Sequence, residues 1–199
     1  MTWPLGLLTA VAATASGAVP LAEQNLLASD VVSVSTKVCY RFARHEIVLG
    51  ETIEADTAVL ATGGVNFGIA NGAYERVGRE GSGLLSQAVL GSRASGSDFV
   101  ILAVGGRVPG CKTMAVATEA GTLVADIASI LTGKGEDWRE APATNTPGAP
   151  LQKRMFVKRD ASGQVYLMNL FAISLPASEL RVLTTVNAVP PGVTLPEGF

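Results

Sequence analysis

Between Gly50 and Gly110 the chain is written in short apolar and β-branched runs cut at near-regular intervals by glycine. Runs such as Thr57–Leu60, Val65–Ile69 and Phe99–Val104 are too short to hold a helix and rich in the residues that suit a pleated, half-buried surface. Gly63-Gly64, Gly105-Gly106 and Ser95-Gly96-Ser97 supply the turns between them. The pattern predicts a mainly β protein, an antiparallel β-sandwich or barrel with a jelly roll among the candidates, carrying one short helix and extended termini.

That reading needs a core, and the composition provides one: 48% of the 199 residues are hydrophobic, enough for one sizeable unit or two small ones. Only 16% are charged, well under the quarter or so usual in a soluble domain. A glycine-rich β protein with so little charge is expected to hide surface against neighbours, by self-association or against other subunits. With a net charge of −2 and no basic arm to neutralise a phosphate backbone, it is not expected to bind nucleic acid directly. The densest basic cluster, Lys153, Arg154, Lys158 and Arg159, reads as a solvated hairpin.

The chain divides into an apolar arm over 1–28, a β-rich core over 29–133, a Pro/Gly-rich loop over 134–150, a hairpin and strands completing the core over 151–189, and an extended tail over 190–199. In the arm, Pro4–Ala15 is apolar and the small residues Ala13, Ala15 and Ala18 lie at and just beyond its end, as at a secretory cleavage site, but no positive segment precedes it. An arm that docks on the core or on a neighbour is the favoured reading, a cleaved signal the alternative. The stretch is too short and too rich in Ala, Thr and Gly for a membrane span.

After the arm, Val32, Val34, Thr36, Val38 and Tyr40 share one parity and Ser33, Ser35 and Lys37 the other, which predicts a half-buried strand. Glu46–Leu49 reads as a second strand beyond a charged bend. Leu84–Leu90 reads as a strand, with a short helix the alternative over so few residues, and Phe99–Val104 as a fully buried strand. The best helix is Glu119–Leu131, where Leu123, Ile127, Ile130 and Leu131 share a face and Gly133 follows as a stop. Asp160–Gly163 is a hairpin signal between Lys153–Lys158 and Gln164–Leu175. Along the latter, Val165, Leu167, Asn169, Phe171, Ile173 and Leu175 alternate with Tyr166, Met168, Leu170 and Ala172, so both faces are largely apolar and a second layer or subunit is expected to cover each. A last strand spans Leu180–Val189.

No constellation of residues carries a reaction. The lone His45 lies between Arg44 and Glu46, without a nucleophile and an orienting carboxylate set out around it. Glu51, Glu54 and Asp56 crowd a turn but lack the spaced oxygen ligands of a calcium loop. Cys39 and Cys111 read as two core thiols, or as one disulfide in an oxidising compartment, and two cysteines with one histidine make no zinc site. No catalytic, cofactor or metal residues are therefore assigned.

Three resemblances bear on function. Glu54–Gly64 is similar to the strand and ATGG turn of FAD-dependent oxidoreductases, but Gly78-Arg-Glu-Gly81-Ser-Gly83 does not match the GxGxxG such enzymes use for the dinucleotide, and no cofactor is expected. The succession Gly50–Val59, Val77–Arg79, Gln87–Leu90, Ser95–Leu102 and Gly105–Pro109 resembles the small β-rich decoration proteins that cement tailed-phage capsids. Ser162–Pro176 resembles the late strand of jelly-roll viral coat proteins. These likenesses imply a non-enzymatic structural protein of an ordered assembly, a virion capsid or decoration protein located in the virion. The alternative is an exported bacterial β-sandwich binding module, secreted or periplasmic. The candidate assembly contacts are Trp3, Leu7, Leu8, Leu195 and Phe199, on the two extended ends.

Overall fold

The structure is a computed structural model, and it describes residues 21–49, 88–95, 98–104, 110–116, 120–143, 145–176, 178, 180–195 and 199. Its strands are β1 (Ala88–Ser95), β2 (Asp98–Val104), β3 (Cys111–Val116), β4 (Arg139–Ala141), β5 (Leu151–Arg159), β6 (Val165–Ile173) and β7 (Leu180–Ala188). They form one antiparallel sheet in the order β1-β2-β3-β7-β6-β5-β4. Two meanders, β1 to β3 and β4 to β7, therefore meet where Thr113 pairs with Thr184, and the chain crosses between them through a helix, α3 (Gly121–Leu131).

The mainly β, antiparallel class holds. Among the described residues the sheet is open, and its inner face is covered by helices, not by a second sheet. β1 and β2 pair antiparallel, with Ser95 opposite Asp98, and β2 contains the whole of Phe99–Val104. Residues 88–90 are strand, as the favoured reading of Leu84–Leu90 has it. The hairpin at Asp160–Gly163 forms with Gly163 at φ +88, a backbone conformation that favours glycine. There the Asp160 carboxylate accepts hydrogen bonds from the Ser162 amide and hydroxyl and from the Gln164 amide, at 2.9, 2.6 and 3.0 Å. Helix α3 lies where the spacing predicts it: Leu123, Val124, Ile127, Ala128 and Leu131 are its buried stripe. Gly133 ends it, and a Cβ there would sit 3.2 Å from the Ile130 carbonyl oxygen.

The expected strand over Val31–Tyr40 is a correction. Leu21–Ser33 is helix α1, Val34–Cys39 continues it as a π-helical segment, and Tyr40–Ala43 closes it as α2. Leu27, Ala28, Val31, Val32, Ser35, Val38 and Cys39 recur at helical spacing and are all buried, so a genuine helical stripe lay beneath the alternation of valines. Ser35 and Thr36, residues of opposite parity, are both buried, as no half-buried strand would have them. β-Branched propensity is a weak preference, and packing between α3 and the sheet overrides it. Residues 21–28, read as the end of an extended arm, are the first turns of this helix. Glu46–Leu49 forms no sheet strand. His45, at φ 59, ends the helix in the left-handed region, and its amide donates to the Phe42 carbonyl at 3.0 Å.

Inner-face residues of the sheet (Ala115, Val182, Val186, Met168, Leu170 and Phe156) pack with α1, the π-helical segment and α3 into one core. A disulfide joins Cys39 at the end of the π-helical segment to Cys111 at the start of β3, and both residues are 0% exposed. Of the two readings of the cysteines, the structure holds the bonded one. Closing a separation of 72 residues restricts the unfolded chain by about 4 kcal/mol in a chain-entropy account. Beside it, the Ser35 and Thr184 hydroxyls share a buried hydrogen bond of 2.8 Å.

The 134–150 segment is tied down more firmly than a free loop. Trp138 is 2% exposed, and Arg139–Ala141 adds an edge strand to β5. The runs Thr57–Leu60 and Val65–Ile69, the acids Glu51, Glu54 and Asp56, and the ATGG turn lie outside the described residues.

Candidate functional site

Alternation along a strand sends successive side chains to opposite faces, so one face of the sheet is settled by the helices and the other is left to do something else. On the outer face, cross-strand pairing sets Lys112, Thr185, Asn169 and Met155 in one row across β3, β7, β6 and β5. The next row is Met114, Leu183, Phe171 and Lys153, and on the other side Asn187, Leu167, Val157 and Arg139 align. Met155, Leu167, Phe171 and Leu183 are only partly buried. The outer face is thus largely apolar with a short polar row through its middle, and it is covered in places, since Met114, Val157, Val165 and Ile173 on the same parity are buried.

That polar row is incompletely satisfied. The Asn169 amide nitrogen donates to the Thr185 hydroxyl at 3.4 Å, while the Asn169 carbonyl oxygen is buried without a hydrogen-bond partner. Burial in this surface holds the Lys112 ammonium below lysine's ordinary pKa.

Charge is sorted between the faces. On β3 to β7 the charged residues of outer parity are Lys112, Arg139, Lys153, Arg159 and Arg181, and none is acidic. The Arg139 guanidinium lies 4.7 Å from the centre of the Phe199 ring, the Lys153 ammonium 5.9 Å from that of Phe171, and Arg159 donates to the Gly163 carbonyl at 3.1 Å. The basic cluster read as one solvated hairpin is therefore split: Lys153 and Arg159 face outward, Arg154 and Lys158 inward. Arg154 makes a bidentate ion pair with Glu140 at 2.6 Å. Lys158 donates to the Glu136 carbonyl at 2.6 Å and lies over the Tyr40 and Trp138 rings. Strand parity, applied to residues 151–159, is the sequence signal that separates the two pairs.

Two of the candidate contacts reach this face. Leu195 and Phe199 pack with Met155, Leu167 and Val189 against the buried Ala141, Val157 and Val165, so the tail lies over one end of its own outer face. Trp3, Leu7 and Leu8 lie outside the described residues. Between the tail and the β5–β6 turn runs an open groove of about 480 Å³, lined by Arg159, Ser162, Pro191 and Val193 among others. Gln164 closes its floor by donating to the Val165 and Val189 carbonyls at 2.8 and 2.9 Å.

A second cluster joins the helix to the hairpin on the inner side. Tyr40 meets Trp138 and Tyr166 edge to face, with centroids 5.7 and 4.9 Å apart. Burial raises the pKa of both tyrosines, which keeps them neutral. The hydrogen bond from the Ser162 hydroxyl, reinforced by the Ser162 and Gln164 amides, holds the Asp160 carboxyl below its ordinary value. These contacts pin the hairpin to α2. His45 is exposed at the helix end, and no group of three or more metal-ligating side chains occurs among the described residues. No described helix is long and apolar enough to cross a membrane.

Comparison with known proteins returned no matching family model, no matching curated protein and no matching solved structure.

Proposed function

We propose that this is a non-enzymatic structural protein that works by contact, as a subunit of an ordered assembly such as a virion shell or its decoration layer. The observation that carries the reading is the outer sheet face, where Met155, Leu167, Phe171 and Leu183 are only partly covered and the tail laps over one end. A surface of this kind is what an assembly subunit presents to its neighbour. Because every charged residue of outer parity on β3 to β7 is basic, two copies of this face would set like charges together, so the contact joins it to a different surface.

A second reading, an exported β module of the periplasm or cell exterior, is favoured by the buried Cys39–Cys111 disulfide, since such bonds persist in oxidising compartments. Light scattering over a concentration series, on the full chain and on a chain lacking Met1–Pro20, tests the first. Oligomers that dissociate on truncation or in the L195S/F199S variant support the assembly. A monomer at every concentration, with residues 1–18 missing by intact mass from the native source, moves the assignment to the exported module.

A further inference from the structure

The outer face has a chemistry that a neighbouring protein subunit does not require. Although the chain carries a net charge of −2, the outer parity of β3 to β7 holds five basic residues and no acidic one. Among them, Arg139, Lys153 and Arg159 meet rings or a carbonyl and make no ion pair among the described residues. At one end of this face Leu151 and Leu175 are 53% and 48% exposed, close in the fold to Lys153 and Arg181. At the other end Val193 is 53% exposed and shares the groove wall with Arg159. Among the described residues, three of the five strongly exposed large apolar residues thus border one face whose charged residues on β3 to β7 are all basic.

We propose that this face docks peripherally on an anionic lipid bilayer. The inference shares with the assembly reading that the outer face is the contact surface, and it puts a lipid bilayer where that reading puts a neighbouring subunit. Aliphatic side chains at the rim enter the boundary between headgroups and acyl chains, while Lys and Arg lay their stems along the apolar surface and reach the headgroup phosphates. The five strands from β3 to β4 span about 19 Å, a broad surface with room for several headgroups. A single strand of nucleic acid calls for successive aromatic platforms, and the two rings of this face, Phe171 on β6 and Phe199 on the tail, each lie against a basic side chain, Lys153 and Arg139.

The test is co-sedimentation of the full chain with vesicles of phosphatidylcholine alone and with vesicles in which phosphatidylglycerol is a minor component, at low and high salt. Binding is expected only to the anionic vesicles and is expected to fade as salt rises. The K153Q/R159Q variant is expected to bind about 25-fold more weakly, about fivefold for each basic side chain removed. L151S/L175S is expected to weaken binding as well, while K37Q/K134Q, which removes two exposed cations from outside this face, leaves it unchanged. Equal binding to neutral vesicles, no binding to either, or insensitivity to K153Q/R159Q and K153E overturns the proposal. Retention on polyglutamate or single-stranded DNA without binding to vesicles does the same. Oligomers that ignore vesicles overturn the lipid surface and leave the assembly standing; a monomer that binds anionic vesicles supports the lipid surface and removes the assembly.

Discussion

The two faces of the sheet are built from the same strands and differ in nearly everything else. On the inner face Phe156, Met168, Leu170 and Val182 are fully buried under α1 and α3, and the Cys39–Cys111 bridge and the Ser35–Thr184 hydrogen bond stitch helix to sheet. On the outer face their strand neighbours Met155, Leu167, Phe171 and Leu183 are partly exposed, and the charges that alternation places there are all basic. Residues one position apart thus serve different ends: one set holds the fold, and the other presents a surface. Apolar character alone does not distinguish the two sets; cover does.

The difference can be broken most directly with a pair of phenylalanines. Phe156→Ala is expected to lower unfolding stability by about 3–5 kcal/mol, since a fully buried ring leaves a cavity that its surroundings fill only in part. Phe171→Ala, on the partly exposed face, is expected to lower it by about 1 kcal/mol, the loss of a fraction of its burial. Equal losses in urea denaturation would mean that the outer face is as much core as the inner.

Removing the bridge with C39A/C111A is expected to cost about 4 kcal/mol without abolishing the sheet, read by the same denaturation with far-ultraviolet circular dichroism. A variant as stable as the parent would show that packing of α1 alone fixes the helix. Thr184→Val strands the buried Ser35 hydroxyl and is expected to cost about 1–3 kcal/mol, and S35A/T184V is expected to restore most of that loss. If the double variant is no better than the single, the hydroxyl pair is not the seam between helix and sheet.

The smallest effect belongs to the hairpin turn. Asp160 has a folded-state pKa below the ordinary aspartate value, so its contribution is complete above that ordinary value and is lost as pH falls through the lower, folded-state one. The midpoint of thermal unfolding is expected to fall across that acid window in the parent more than in D160N. Parallel curves for the two would remove Asp160 from the turn's stability.

Much of this was legible in the chain. The parities of Val165–Ile173 and Tyr166–Ala172 state that both faces of β6 are apolar, and the structure buries Tyr166, Met168 and Leu170 on one while leaving Leu167, Asn169 and Phe171 partly exposed on the other. Asp160–Gly163 and the stripe of α3 are equally plain, since a turn or an isolated helix is specified by residues within a few positions of one another. Residues 31–40 misled because two periodicities coexist there: valines alternate as in a strand, while the set from Leu27 to Cys39 repeats as in a helix. Nothing local chooses between them. Trp138 lay in a segment rich in Pro and Gly, and only its packing against Tyr40 shows why that segment is held. Of the candidate contacts, Leu195 and Phe199 were visible as apolar residues on a tail, but not that the tail lies on its own sheet.

By itself, then, the sequence determined the strands at Phe99–Val104 and on either side of Asp160, their alternation, the hairpin at Asp160 and the helix over Gly121–Leu131, because each follows from steric and hydrophobic patterning among near neighbours. Tertiary structure alone decided that residues 21–43 are helical, that Cys39 bonds Cys111, which parity of each strand meets the helices, and that the outward charges are all of one sign. Those outcomes depend on partners far apart in the chain, 72 residues for the disulfide and 149 for Ser35 with Thr184. Burial is a property of what comes to cover a face, and that is fixed only when distant elements meet.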